Sequence, residues 1–82
     1  MWMLDAERKQ SVRTLQLYLT PKEAADLRDN LAELLEDPER PDHRHTLSED
    51  CSRDLSYSIV TPAKLEAISR YTKLEQKVLR EK

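Results

Sequence analysis

The apolar positions of this chain follow two periods, and the first predicts a strand over residues 12–20. Leu15, Leu17 and Leu19 occupy every second position. That spacing places three side chains on one face of a half-buried strand. We therefore expect a first strand that ends at Thr20.

A helix start follows directly. Thr20 can cap the helix, Pro21 suits its first position, and Glu23 stands where a capping box requires an acid. The apolar stripe that follows is formed by Ala24, Leu27, Leu31, Leu34 and Leu35. The helix should end at Asp37, because a residue before proline, here Pro38, avoids helical geometry.

The second half of the chain repeats the change from strand period to helix period. After a proline-rich linker at 38–42, we expect strands over 43–48 and 54–60 and a final helix over 62–82, introduced by Thr61-Pro62. The apolar side of this last helix carries Ala67, Ile68, Tyr71, Leu74, Val78 and Leu79.

These elements predict an α+β fold: a single small domain of order β-α-β-β-α, with two helices packed on one face of a three-stranded sheet. A right-handed crossover would place strand one parallel to strand two, with strand three between them. A meander with strand two in the centre is the alternative. We expect this domain to cover residues 11–82. Residues 1–10 either pack on it or on a partner chain, or form a disordered tail.

The alternation also predicts the two faces of the sheet. The face against the helices should carry Leu15, Leu17, Leu19, Leu47, Leu55, Tyr57 and Ile59. The open face should carry Val12, Thr14, Gln16, Tyr18, Thr46, Ser56, Ser58 and Val60. One open face is common in antiparallel sheets.

Composition excludes several classes of function. The chain has no glycine, and phosphate-binding loops need glycine for close backbone approach and positive φ. Cys51 is the only cysteine, so no disulfide forms within one chain. No stretch approaches the roughly 18 apolar residues of a membrane helix, and no secretory signal is evident. We expect a cytoplasmic protein with no membrane contact and no cofactor.

Candidate chemistry lies between His43 and Cys51. On a strand, His43 and His45 would point to one face, as in some metal sites. Cys51, His45 and Asp50 supply the residue types of a nucleophilic site. A structural zinc site uses four ligands, and this set offers only three. An active site usually lies in a deep pocket, which so small a domain does not provide. We expect no bound metal and no enzymatic activity; the alternative is a metal- or thiol-dependent enzyme around His43, His45 and Cys51.

Charge is distributed unevenly. Residues 20–39 carry a net charge of −5, whereas residues 62–82 carry +3. Four bases of the last helix fall on one stripe: Arg70, Lys73, Lys77 and Arg80. This stripe, the acidic helix and the open sheet face around Gln16 and Tyr18 are candidate surfaces for a protein partner. The alternative is a nucleic-acid-binding regulator that uses the basic stripe.

An apolar surplus at the two chain ends predicts self-association. The last helix has a heptad-like seam, and its length of about 30 Å would exceed strands of roughly 20–25 Å. The candidate dimer residues are Trp2, Tyr71, Leu74, Val78 and Leu79. We therefore expect a small homodimeric protein-interaction module of regulatory or inhibitor/immunity type.

Overall fold

The computed structural model describes residues 1–81 and confirms the α+β class. In chain order the elements are β1 (Leu4–Asp5), β2 (Gln10–Ser11), α1 (Pro21–Glu36), β3 (His43–Leu47), β4 (Asp54–Ser58), α2 (Pro62–Glu66), a 3₁₀ turn (Ile68–Arg70) and α3 (Lys73–Leu79). β1 pairs with β2 and β3 pairs with β4, both antiparallel. No helix among these residues is long and apolar enough to cross a membrane.

The chain divides into two compact units. The first unit is residues 1–17 together with the residues from Ala63 onward, and the second is Tyr18–Pro62. Each has one aliphatic side chain that is only 6% exposed: Val78 in the first and Leu34 in the second. The predicted boundary after residue 10, with one domain beyond it, stays a prediction.

In the second unit, α1 begins and ends where the sequence predicts. Thr20 Oγ1 accepts a hydrogen bond from the backbone N–H of Glu23 at 3.2 Å, and Glu23 Oε1 accepts one from the backbone N–H of Thr20 at 2.9 Å. This capping box satisfies donors that a helix start leaves unpaired. At the other end, Asp37 leaves helical geometry before Pro38.

The β3–β4 hairpin reverses the predicted facing of β3. Thr46 pairs with Leu55, and Leu47 pairs with Asp54; paired residues of an antiparallel ladder share a face. Thr46 is 4% exposed beside Leu55, whereas Leu47 is 49% exposed on the outer face. The prediction of Leu47 inside and Thr46 outside is therefore wrong. The Thr46 side chain can be buried because its hydroxyl forms a hydrogen bond with the hydroxyl of Tyr57, at 2.7 Å.

The predicted first strand does not form. Among residues 1–81, the stretch 13–19, called here the leucine segment, makes no hydrogen bond. A strand needs a partner edge for its N–H and C=O groups, and β3 pairs with β4 instead. The predicted three-stranded sheet, its parallel pairing and the β-α-β-β-α order are therefore wrong for the described residues. α1 packs chiefly against β3.

In the first unit, residues 1–12 fold back on themselves. Asp5 Oδ1 accepts hydrogen bonds from the backbone N–H groups of Glu7 at 3.1 Å and Arg8 at 3.0 Å. The N–H of Lys9 donates to the carbonyl of Asp5 at 2.8 Å. Lys9 has φ 58, the left-handed region that glycine would favour. The sequence gives no hairpin signal here, because lysine, and not glycine or asparagine, occupies the left-handed position of the turn.

The predicted single helix over 62–82 is wrong. Tyr71 and Thr72 are extended, with ψ of 160 and 162. A second capping box then starts α3: Thr72 Oγ1 accepts from the N–H of Glu75 at 3.2 Å, and Glu75 Oε1 accepts from the N–H of Thr72 at 2.9 Å. The overhanging 30 Å helix expected from the sequence therefore does not arise. Lys82 lies outside the described residues.

Candidate functional site

The leucine segment carries a row of exposed apolar side chains. Leu15, Leu17 and Leu19 are 51%, 49% and 40% exposed. Tyr18 is 86% exposed between two of them, and Gln16 is also exposed. The predicted partner-binding residues Gln16 and Tyr18 are thus at the surface, but on an unpaired segment and not on the open face of a sheet.

α1 exposes a second apolar patch. Leu34 is buried, but Leu35 on the next position is 60% exposed and Leu31 is also exposed. A helix that packs chiefly on a single strand covers a narrower stripe than one that packs on a three-stranded sheet. Part of the stripe predicted as core therefore faces solvent.

Asn30 fastens α1 to the hairpin. Its Nδ2 donates to Tyr57 Oη at 3.1 Å and to the backbone carbonyl of His45 at 3.3 Å. Because the hydroxyls of Tyr57 and Thr46 also meet, three elements share one polar contact. This contact joins α1, β3 and β4.

Glu23 joins the start of α1 to the loop after β3. Its Oε1 accepts from the N–H of Thr20, and its Oε2 accepts from the N–H of Glu49 at 2.9 Å. These two backbone donors hold the pKa of the Glu23 carboxyl below its usual value. The carboxylate is therefore a clamp between two segments, and both of its oxygens are engaged.

His43 and His45 lie side by side on the outer face of β3. Their ring centroids are 4.9 Å apart, and the rings are nearly perpendicular. Nδ1 of His45 lies 2.9 and 3.2 Å from the two carboxylate oxygens of Asp54. All three side chains are exposed. The structure thus adds Asp54 to a pair that the sequence had already indicated.

The structure does not bring Cys51, His45 and Asp50 together as a nucleophilic site. Cys51 sits at the exposed tip of the hairpin turn with φ 60, and its N–H donates to the carbonyl of Ser48 at 2.8 Å. The hydroxyls of Ser48 and Ser52 each donate to Asp50 at 2.7 Å and hold the pKa of that carboxyl well below its usual range. In the described structure neither Asp50 nor His45 hydrogen-bonds the thiol.

No group of three or more His, Cys, Asp and Glu side chains in residues 1–81 is arranged to hold a metal ion. Cys51 is thus not brought together with His43 and His45. The alternative site of His43, His45 and Cys51 is therefore not assembled as one group in this part of the chain.

The second unit contains a cavity of about 300 Å³ with charged walls. Glu33 there pairs with Arg44 at 2.9 Å, and Arg40 lies 3.5 Å from both Asp37 and Asp42. The carboxylates of this cavity are therefore largely paired with arginine. Such ion pairs are partly exposed and contribute little individually.

The predicted basic stripe is divided by the helix break. Lys73 and Lys77 lie four residues apart on α3 and Arg80 is the C-cap residue that follows it, whereas Arg70 belongs to the 3₁₀ turn. All four side chains are exposed, and within the described range none forms an ion pair. A basic face of three residues remains.

The predicted dimer residues at the chain ends all belong to the first unit. Trp2 Nε1 donates to the carbonyl of Glu81 at 3.0 Å, and Val78 is buried. The other three, Tyr71, Leu74 and Leu79, are half-buried. A cavity of about 290 Å³ lies here, lined by Met1, Trp2, Met3, Val12, Arg13, Val78 and Glu81. Their role in a dimer stays a prediction.

Sequence reasoning missed three features. The Thr72-x-x-Glu75 capping box was readable from the sequence, as the Thr20 box was. Asn30 and Asp54 had no local signal, because each acts on a residue from another element. The role of Asp54 follows from the strand register, and that of Asn30 from the packing of α1 against the hairpin.

No protein-family model, curated protein or solved structure matches this chain. Any functional statement therefore rests on the chain's own residues.

Proposed function

We propose that this chain is a non-enzymatic protein-interaction module that acts as a homodimer. The proposal rests on the leucine segment. Three of its leucines are exposed at strand spacing, and its backbone makes no hydrogen bond among the described residues. Exposed contiguous apolar side chains mark interaction sites. Unpaired N–H and C=O groups are what a segment offers before it joins the edge of a sheet.

The matching edge is β4 of a second copy. α1 packs chiefly against β3, where Asn30 reaches the carbonyl of His45, whereas β4 pairs with β3 alone in the described structure. A two-stranded sheet is only marginally stable, and a third strand with an apolar face improves it. Addition of the leucine segment beside β4 supplies that strand and extends the inner face of Leu55 and Tyr57.

Charge favours a second copy over an unrelated partner. Residues 20–39 have a net charge of −5 and residues 62–82 have +3. In a two-fold dimer, a contact between the acidic region of one copy and the basic region of the other would occur twice. The bases Lys73 and Lys77 of α3 are exposed for such a contact.

Sedimentation velocity between roughly 1 and 100 µM tests the proposal, and we expect a monomer–dimer equilibrium in the micromolar range. Leu17→Asp places a charge in the apolar contact and should weaken the dimer at least about tenfold. Gln16→Pro removes one N–H and should act similarly, because proline disrupts a strand ladder. Neither residue makes a hydrogen bond in the described chain, so both variants should remain folded by circular dichroism.

Two matched controls separate backbone, side chain and charge. Thr14→Asp adds the same charge within the segment, and Gln16→Ala removes the side chain but keeps the N–H. Both should retain the wild-type dissociation constant. A wild-type chain that is monomeric at 100 µM would contradict the homodimer. A Gln16→Pro chain that dimerises normally would contradict strand addition.

A further inference from the structure

The outer face of the β3–β4 hairpin carries a pair of histidines that the proposed dimer does not use. We propose that His43 and His45 chelate one divalent transition-metal ion of the zinc, nickel or copper type, and that Asp54 positions His45 for this role. The site involves neither the leucine segment nor the charges of α3.

The separation of the two rings suits chelation. A Zn–N bond is 2.0–2.1 Å, so a ligating imidazole centre lies about 3.2 Å from the ion, and two such centres at a tetrahedral angle are about 5 Å apart. The centroids of His43 and His45 are 4.9 Å apart. The separation therefore suits one shared ion, and because the rings are T-shaped and Asp54 holds His45, the His43 ring is the one that has to rotate towards it.

Asp54 fixes the nitrogen that would bind. A carboxylate accepts hydrogen bonds, so the 2.9 Å contact between Asp54 Oδ1 and Nδ1 of His45 favours the tautomer with the proton on Nδ1. That tautomer leaves the lone pair on Nε2 available to a metal ion. A carboxylate that orients a metal-binding histidine in this way is a recurrent arrangement.

The rest of the face leaves the site open. In the hairpin register Ser58 pairs with His43, Ser56 with His45, and Asp54 with Leu47. This face therefore carries no lysine or arginine that would repel a cation, and Asp54 adds a negative charge. Two protein ligands leave the remaining positions to water, which agrees with the absence of a three-ligand group in residues 1–81. Imidazole ligands select borderline metals over Mg²⁺ or Ca²⁺.

Isothermal titration calorimetry of the full chain, with any affinity tag removed, tests the site with zinc chloride. We expect one Zn²⁺ per chain. His43→Gln and His45→Gln should each weaken binding at least about tenfold, because the advantage of two linked ligands is lost. Asp54→Asn should weaken it about 10- to 100-fold although both histidines remain. It should also reduce the Nδ1-protonated tautomer of His45 in ¹⁵N NMR, which a purely structural role would not change.

Cys51→Ser and Ser56→Ala are the controls, since they remove the only thiol and a hydroxyl on the same face. Both should bind zinc as the wild type does, and magnesium chloride should give no binding. Unchanged zinc affinity in both histidine variants, or its loss in Cys51→Ser, would overturn the proposal. The dimer is judged separately, because His43→Gln should sediment as the wild type does in the absence of metal.

Discussion

At the scale of single residues, the hydroxyl of Tyr57 sets the orientation of the hairpin. It lies 2.7 Å from Thr46 Oγ1 and accepts from Asn30 Nδ2 at 3.1 Å. A buried threonine is unfavourable without a partner, and this contact supplies one. Hydrophobic alternation cannot reveal this compensation, because the hydrogen bond joins residues of two different strands.

Tyr57→Phe should lower the free energy of unfolding by about 1–3 kcal/mol, because Thr46 Oγ1 is left buried without a partner. Urea denaturation followed by circular dichroism, below the dimer dissociation constant, measures the change. Tyr18→Phe removes an equal hydroxyl from a side chain that is 86% exposed and should change stability by less than about 0.5 kcal/mol. Equal effects of the two substitutions would contradict this role for Tyr57.

At the scale of elements, end signals were better guides than periodicity. The Thr20 capping box correctly predicted the start of α1, and an equivalent box at Thr72 starts α3 inside a stretch whose apolar period predicted one continuous helix. The period of residues 12–20 likewise predicted a strand, but this strand does not form because the segment has no partner edge to pair with. Periodicity indicates which side chains can be buried on one face, whereas capping residues indicate where the backbone hydrogen bonds of a helix begin.

Thr72→Ala should destabilise the protein by about 0.5–2 kcal/mol, since the N–H of Glu75 loses its acceptor at a helix of only seven residues. Thr72→Ser keeps the acceptor oxygen and should retain most of the stability. Midpoints of urea denaturation compare the two variants. If serine and alanine behave alike, the hydroxyl does not act as the cap.

At the scale of the whole molecule, the chain combines few buried residues with much exposed apolar surface. Only Leu34 and Val78 are buried hydrophobic residues in the described chain, and charge of opposite sign collects in residues 20–39 and 62–82. Small domains have a thin stability margin and often gain from association. The proposed dimer would reduce both the exposed apolar area and the charge imbalance.

Lys73→Glu combined with Lys77→Glu should weaken that dimer several-fold at about 20 mM salt, because the charges that attract the acidic region are reversed. Sedimentation velocity at about 20 and 300 mM salt measures the dissociation constants. At the higher concentration, screening should bring the variant and the wild type closer together. A difference that is independent of salt would exclude long-range charge attraction as its cause.

The sequence alone determined the bounds of α1, the two strands of the β3–β4 hairpin and the neighbouring placement of His43 and His45. These features depend on hydrogen bonds and side-chain alternation within a few residues, so local patterns contain them. Only the tertiary structure decided that Thr46 faces inward, that Asp54 reaches His45 and that the leucine segment has no strand partner. Those outcomes depend on the pairing register of β3 with β4 and on which strand edge is free. Both properties are set by contacts between residues that are distant along the chain.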